Sequence, residues 1–323
     1  MRPWRRFARR GHGGPRAGVA SSTFVNLSMP RRRTLRAALA VVVVSVAIVA
    51  APSPARAAAP GDCADGSPSC VAATIATMRA RFAPLGRSCA HNAVFALTYL
   101  RTTQTYEWAR DQPGFFTDPA WVNHEDAVFA RLYFDAYDSW AAGARLRTPG
   151  AWLVAFDAAR GRKVTAAGNL LLGMNAHINR DLPHALAAVG LTRPDGSSRK
   201  PDHDKVNDFL AAVLAPLQVE LTARLDPTGL ATGLPPDSAF QLILGWREQA
   251  WRYAERLVSA PNPVARALVA AEIEAHATAQ AVLYAGLAAY VPPLSTPAAR
   301  DAHCAVHNGD QPPAYPFGTP PPY

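Results

Sequence analysis

From Val71 to Tyr290, apolar residues recur every three to four positions, and no stretch alternates apolar and polar residues as a half-buried strand would. That periodicity restricts the chain to an all-α architecture. Val71, Ile75, Met78 and Phe82 form the first stripe. A second helix over residues 89–110 carries Val94, Leu97 and Leu100 and breaks at Asp111-Gln112-Pro113-Gly114. Asp118 is placed to cap a third, with Pro119 in its first turn and Trp121, Val128, Leu132 and Ala136 on its core side. Thr148-Pro149 starts a fourth with Trp152 and Phe156, and a fifth begins near Val164. A helix from Asp204 to Leu225 contains Pro216, which is expected to bend or split it. Asp237 and Asn262-Pro263 start the last two, separated from what precedes by a Pro/Gly loop over 226–236. With short connections and no fixed repeat, this predicts a single compact multi-helix bundle of about eight helices.

The ends differ from this middle. Residues 1–57 hold eleven arginines and no acidic residue. Removing those eleven from 33 basic residues leaves 22 against 24 acidic ones, a net of −2. The basic balance therefore belongs to the leader, and no nucleic-acid partner is expected. Arg31-Arg32-Arg33 and Arg36, the apolar run Ala37 to Ala51 and Ala55-Arg56-Ala57 read as an export signal, with Met29 as an alternative start. A secreted protein follows, touching the membrane only through that signal. A protein anchored by an uncleaved leader is the alternative. Cys63, Cys70, Cys89 and Cys304 are an even set in an exported chain. Three pairings are possible and the sequence does not choose among them; Cys63 and Cys70 flank a turn-forming run and could close a small loop, in which case Cys89 would join Cys304 and tie the first core helix to the tail. The predicted organisation is a leader over 1–57, a short disulfide-containing segment over 58–70, an all-α domain over 71–290 and a Pro-rich, irregular tail over 291–323.

Chemistry is expected in the middle, where the apolar run Leu170-Leu171-Leu172 ends in Asn175, His177, Asn179, Asp181 and His184. His177 and Asp181 are four apart and share a helix face. An imidazole and a carboxylate at that spacing can hold one divalent metal such as zinc, or the carboxylate can orient the imidazole as a base. Asn175 and Asn179 would position groups. Alternatively, Pro183 stops the helix, Asp181 only caps the next segment, and the asparagines satisfy buried backbone. Further metal ligands would come from Glu272 and His276 on the last long helix, with Glu274 facing another way. An exposed polar stripe on a long amphipathic helix is the favoured reading of that pair. His124, Glu125 and Asp126, with Arg131, Asp135 and Asp138 further along, form another polar patch; a solvated face explains most of it, and a functional patch is the alternative. Glu248 with Arg252, and Arg247 laid over Trp251, read as structural pairs, with Glu248 an outside candidate. No Gly-x-Ser-x-Gly, His-Glu-x-x-His or phosphate-binding loop occurs in the mature chain.

Gly173-Met174-Asn175-Ala176-His177-Ile178-Asn179-Arg180-Asp181-Leu182-Pro183, with Trp246-Arg247-Glu248-Gln249-Ala250-Trp251 and the aromatic helix around Phe129 to Phe134, resembles an actinobacterial family catalogued as a domain of unknown function. That family implies no activity. His-x-x-x-Asp followed by Pro and His is also similar to part of the zinc-dependent phospholipase C and nuclease pattern, although Pro183 and His184 follow Asp181 too soon. The expected function is a metal-assisted hydrolase of an ester or phosphoester. Its rival is a non-catalytic exported helical protein that binds a lipid-like or cell-envelope ligand or a protein partner.

Overall fold

A computed structural model describes residues 63–227 and 236–323. The leader expected over 1–57 and most of the loop over 226–236 lie outside the described residues, as does the side chain of Asp237. Among the described residues ten α-helices follow one another: α1 Pro68–Arg87, α2 Ala93–Arg110, α3 Pro119–Ala141, α4 Gly150–Arg160, α5 Ala166–Met174, α6 Leu182–Val189, α7 Lys200–Arg224, α8 Pro236–Ser259, α9 Pro263–Leu287 and α10 Pro297–His307. A π-helical turn, Asn175–Asp181, joins α5 to α6. Among the described residues β-pairing is limited to three isolated bridges, so the fold is all-α. None of their helices is long and apolar enough to cross a membrane.

The helix starts follow from side-chain chemistry. Asp118 accepts from the Trp121 N–H at 3.1 Å, and Asn262 from the Ala265 N–H at 2.9 Å, each ahead of a proline in the first turn. Thr165 caps α5 in the same way, through the Gly168 N–H. Pro216 lies inside α7 without splitting it.

The core centres on α2, most of whose residues are buried, the polar Arg101, Thr103 and Gln104 among them. Thr98 and Thr105 satisfy their hydroxyls on the Val94 and Arg101 carbonyls, both at 2.8 Å. α1 and α7 pack against α2, α4 against α9, and α6 against α8. These contacts bring the π turn between α3, α4, α8 and α9.

The C-terminal segment is more ordered than its proline content suggests. It contains α10, and its final residues are held by a buried charge cluster. Arg101 forms two hydrogen bonds at 2.8 Å with the Glu220 carboxylate, which also takes Arg224 and, at 2.7 Å, the Tyr315 hydroxyl. Arg101 and Arg224 donate onward to the Pro321 and Pro322 carbonyls. Of the three pairings the sequence left open, the disulfides are Cys63–Cys70 and Cys89–Cys304, the second tying the α1–α2 corner to α10. Such a pair of disulfides is characteristic of a protein matured in an oxidising compartment.

Candidate active site

Pro183 does not end the helix; it widens it. A proline lacks the N–H for an i→i−4 bond, and its ring clashes with the carbonyl four residues earlier. The backbone answers with a π turn over Asn175–Asp181, in which the Leu182 N–H reaches back five residues to the His177 carbonyl. Single π turns inside α-helices are frequent at functional sites. Gly173, just before the turn, permits a close approach: a Cβ there would lie 2.2 Å from Cδ2 of Phe95 on α2.

The turn presents two polar faces. One faces α9. Asn175 donates to the Ala277 carbonyl at 2.9 Å, and Asn179 donates to Asn175 Oδ1 at 3.0 Å and to Gln280 Oε1 at 2.8 Å. Both asparagines thus join helix to helix. The other face carries His177 and Asp181. The Asp181 carboxylate is fully buried. It accepts from Trp152 Nε1 at 2.8 Å and from Arg180 at 2.7 Å, and lies 3.1 Å from His177 Nδ1. Arg180 continues to Glu274 at 3.1 Å, which receives the Gly150 N–H at 2.6 Å. Asp181 makes no capping bond to α6; every strong partner of its carboxylate is a side chain.

His177 and Asp181 therefore meet, whereas Glu272 and His276 do not join them. Glu272 is exposed and paired with Arg256 at 2.6 Å. His276 is hydrogen-bonded to Gln249 and Gln280 at 3.2 and 3.1 Å. The residue of α9 that reaches toward Asp181 is Glu274, through Arg180, because α9 turns that flank rather than the 272/276 flank to the π turn. His184 lies outside the His177–Asp181 contact; burial lowers its pKa, with Arg180 adding to the effect.

The free side of His177 forms part of a cavity of about 160 Å³ between α2, α3, α7 and α8. An apolar cavity of roughly that size holds a benzene-sized molecule. Its wall is mainly apolar, with Phe95, Phe129, Leu170, Ile178, Phe209 and Ile243 among its residues. Phe129 stacks on the imidazole with centroids 3.5 Å apart and planes 7° from parallel, and the Tyr99 ring stands edge-on at 4.4 Å.

Five buried polar atoms on this wall have no hydrogen-bond partner: Tyr99 Oη, Thr103 Oγ1, Glu125 Oε2, Asp126 Oδ2 and His177 Nε2. Buried polar groups are nearly always paired, so a cluster of orphans around one apolar cavity marks a place for another molecule. Burial, opposed by the hydrogen bond with Asp181, lowers the His177 pKa. The ring is therefore neutral at pH 7. With its proton on Nδ1 facing Asp181, Nε2 is the ring's unprotonated, unpartnered nitrogen. Burial works against the Asp181 charge. The hydrogen bond from His177 and the Arg180 guanidinium outweigh it and hold the carboxyl below the usual range. Burial, opposed by Arg247, pushes Glu125 up to about 7. Burial and then the Glu125 charge push Asp126 up to about 8. Such shifts cluster where acid–base chemistry occurs.

Glu125 and Asp126 thus correct the solvated-face reading of α3. Asp126 follows Val122 by four residues and precedes Phe129 by three, so it shares their inward stripe. Arg247 also differs from expectation. It is buried, donating to Asn207 Oδ1 at 2.8 Å and the His203 carbonyl at 2.6 Å, while Lys200 takes the place over Trp251. Glu248 pairs with Arg252 as its spacing predicts, and with Lys200, on the surface. Tyr99 and Thr103 carried no sequence signal beyond membership of an apolar helix.

The donors around His177 do not fit a metal. Among the described residues, the one group of three or more His, Cys, Asp or Glu side chains that converges is Cys63, Asp65 and Cys70. Its two sulfurs are joined in a disulfide.

A family model described as a family of unknown function, DUF5995, matches residues 71–285, and the chain belongs to that family. No curated protein and no solved structure matches it.

Proposed function

Starting from membership of a family without an assigned activity, we propose that the chain is an exported hydrolase of small apolar carboxylic esters. His177 is its general base and Asp181 the residue that orients it. The observation that carries this reading is the buried, unpartnered Nε2 of His177 in an apolar cavity, with Nδ1 held by Asp181. The basic and apolar leader and the two disulfides support export.

The chemistry needs no group beyond these side chains and water. A water held by Nε2 attacks the acyl carbon while its proton passes to the imidazole. Asp181, kept ionised by its partners, stabilises the imidazolium. Asp126, protonated at pH 7, donates to the carbonyl oxygen as charge gathers there, with the Tyr99 hydroxyl as a second donor. Collapse breaks the bond to the alkoxy oxygen, and the imidazolium returns its proton to the leaving alcohol. A phosphoester suits the cavity less well, because two carboxyls face it and its nearest guanidinium, Arg247, is engaged by Asn207 and His203. The apolar wall takes the acyl chain.

The apolar lining also favours a second reading, in which the cavity binds a small apolar ligand without turning it over. Steady-state kinetics on p-nitrophenyl acetate, butyrate and octanoate separate the two. Hydrolysis is expected to be fastest for butyrate, with kcat lowered about a hundredfold or more in His177→Gln, the usual scale of a lost general base. Equal turnover by the variant, or binding of these esters without turnover by the native protein, overturns the hydrolase reading.

A further inference from the structure

Helix α9 buries one apolar side and leaves another facing solvent. Its buried side holds Ile273, Ala277 and Ala281. On the opposite side Val264, Leu268 and Val282 are 71, 68 and 60% exposed, and Leu283 and Leu287 beside them 58 and 75%. An amphipathic surface helix turns its polar side chains outward. In α9 the polar Glu274, His276 and Gln280 are half-buried instead. The two charged residues exposed on this helix are both engaged by α8: Arg266 donates to the Leu257 carbonyl at 2.8 Å, and Glu272 pairs with Arg256 at 2.6 Å.

These five large residues present on the order of 500 Å² of apolar surface, at roughly 100 Å² each. With the small residues between them, the face approaches the roughly 800 Å² that one partner contributes to a specific interface. Single exposed apolar residues are ordinary, but a continuous row of this size marks an interaction surface. The row is also self-complementary. Its positions 264, 268, 271, 275, 279, 282 and 286 step by 4, 3, 4, 4, 3 and 4 residues, the same in either direction. Two copies of α9 laid antiparallel about a twofold axis at Ala275 therefore set Leu268 against Val282, Ala271 against Ala279 and Val264 against Gly286, each contact occurring twice. The alanines at the centre let the two helices approach closely, and the bulky Leu283 falls opposite the small Ala267. A helix built to lie on a membrane carries lysines or arginines along its polar face; α9 has one arginine, Arg266, against Glu272 and Glu274.

We propose that the outer face of α9 docks a second copy of the chain, giving a twofold dimer through antiparallel α9 helices. The test is sedimentation equilibrium of the full mature chain from about 1 to about 200 μM, the range in which a reversible dimer of this area exchanges. The mass is expected to rise from one chain to two and stop there. Leu268→Glu sets a carboxylate against an apolar residue at both ends of the contact. It should weaken the dimer at least about tenfold while leaving the melting temperature of the monomer unchanged, because position 268 is exposed. Val282→Glu carries the same expectation from the other half of the row. The double variant Leu268→Glu/Val282→Arg should recover most of the lost affinity. Its two charges are about 21 Å apart along their own helix and meet only across the twofold axis, so a surface that is merely sticky would show no recovery. A chain still monomeric at the highest concentration, growth beyond a dimer, a dimer indifferent to both single variants, or a double variant no tighter than Leu268→Glu overturns the proposal. So does co-sedimentation of the monomer with phosphatidylglycerol vesicles that Leu268→Glu abolishes, which would give the face to a membrane.

Discussion

Asp126→Asn tests whether the carboxyls in the first cavity are held there against stability. In the folded chain Asp126 retains its proton to about pH 8, mainly because it is buried and then because Glu125 is charged beside it. In the unfolded chain it ionises near the ordinary 3.8. Between those values the folded state binds the extra proton, so stability falls as pH rises through the window. Holding the proton that far corresponds to a ceiling of about 6 kcal/mol above pH 8. Water drawn into the cavity by the charged form lowers this, and we expect about 2 kcal/mol. Asparagine has nearly the same shape and no proton to lose. The variant should therefore gain on the native protein as pH rises from about 5 to about 8.5, by roughly 4–8 °C in melting temperature for a domain of this size. Circular-dichroism melts across that range read the difference directly. Parallel melting curves for the two proteins would mean that Asp126 ionises normally, and the reasoning from the orphaned carboxyl would fail.

Other substitutions separate the site from its frame. Asp181→Ala removes the acceptor shared by Trp152, His177 and Arg180, and breaking a buried pair costs about 3–5 kcal/mol; a loss near the 1 kcal/mol of a helix cap in urea melts would refute the network. Because the Asp181 pKa is lowered, its contribution is complete above the ordinary carboxylate range and fades as pH falls through its folded value. Gly173→Ala sets a Cβ against Phe95 and should cost about 1–3 kcal/mol by overpacking, read as a lower urea midpoint. Glu272→Ala removes one exposed ion pair and should change stability by less than about 1 kcal/mol while leaving ester turnover intact; lost turnover would return Glu272 to the site.

The fold was legible because helical periodicity and capping residues act locally. Asp118 and Asn262 cap as their spacing predicts, whereas the disulfide pairing stayed open among three until the fold brought Cys89 to Cys304. α10 was hidden by the prolines around it, and the tail's order comes from distant partners, Arg101 and Arg224, that no local pattern reveals. At the site, His177 and Asp181 were legible as an i, i+4 pair, and they do meet. Glu272 and His276 share that spacing, but spacing does not say which flank of α9 faces inward. For Glu125 and Asp126, charge suggests a solvated face but register on α3 sets where they lie. Asp126 lies on the same stripe as Val122 and Phe129, and its burial is visible once that stripe is drawn through it. The π turn could not be foreseen from Pro183 alone, because proline more often ends a helix than widens one.

The central claim is that His177 presents an unprotonated Nε2 to a cavity built for a ligand. Long-range ¹⁵N–¹H correlation of the imidazole tests it, with and without a short ketone such as 2-hexanone as an unhydrolysable mimic of the ester. We predict a neutral ring at pH 7 with its proton on Nδ1, and an Nε2 resonance that moves when the ketone enters. A proton on Nε2, a charged ring at pH 7, or a spectrum indifferent to the ketone would contradict it.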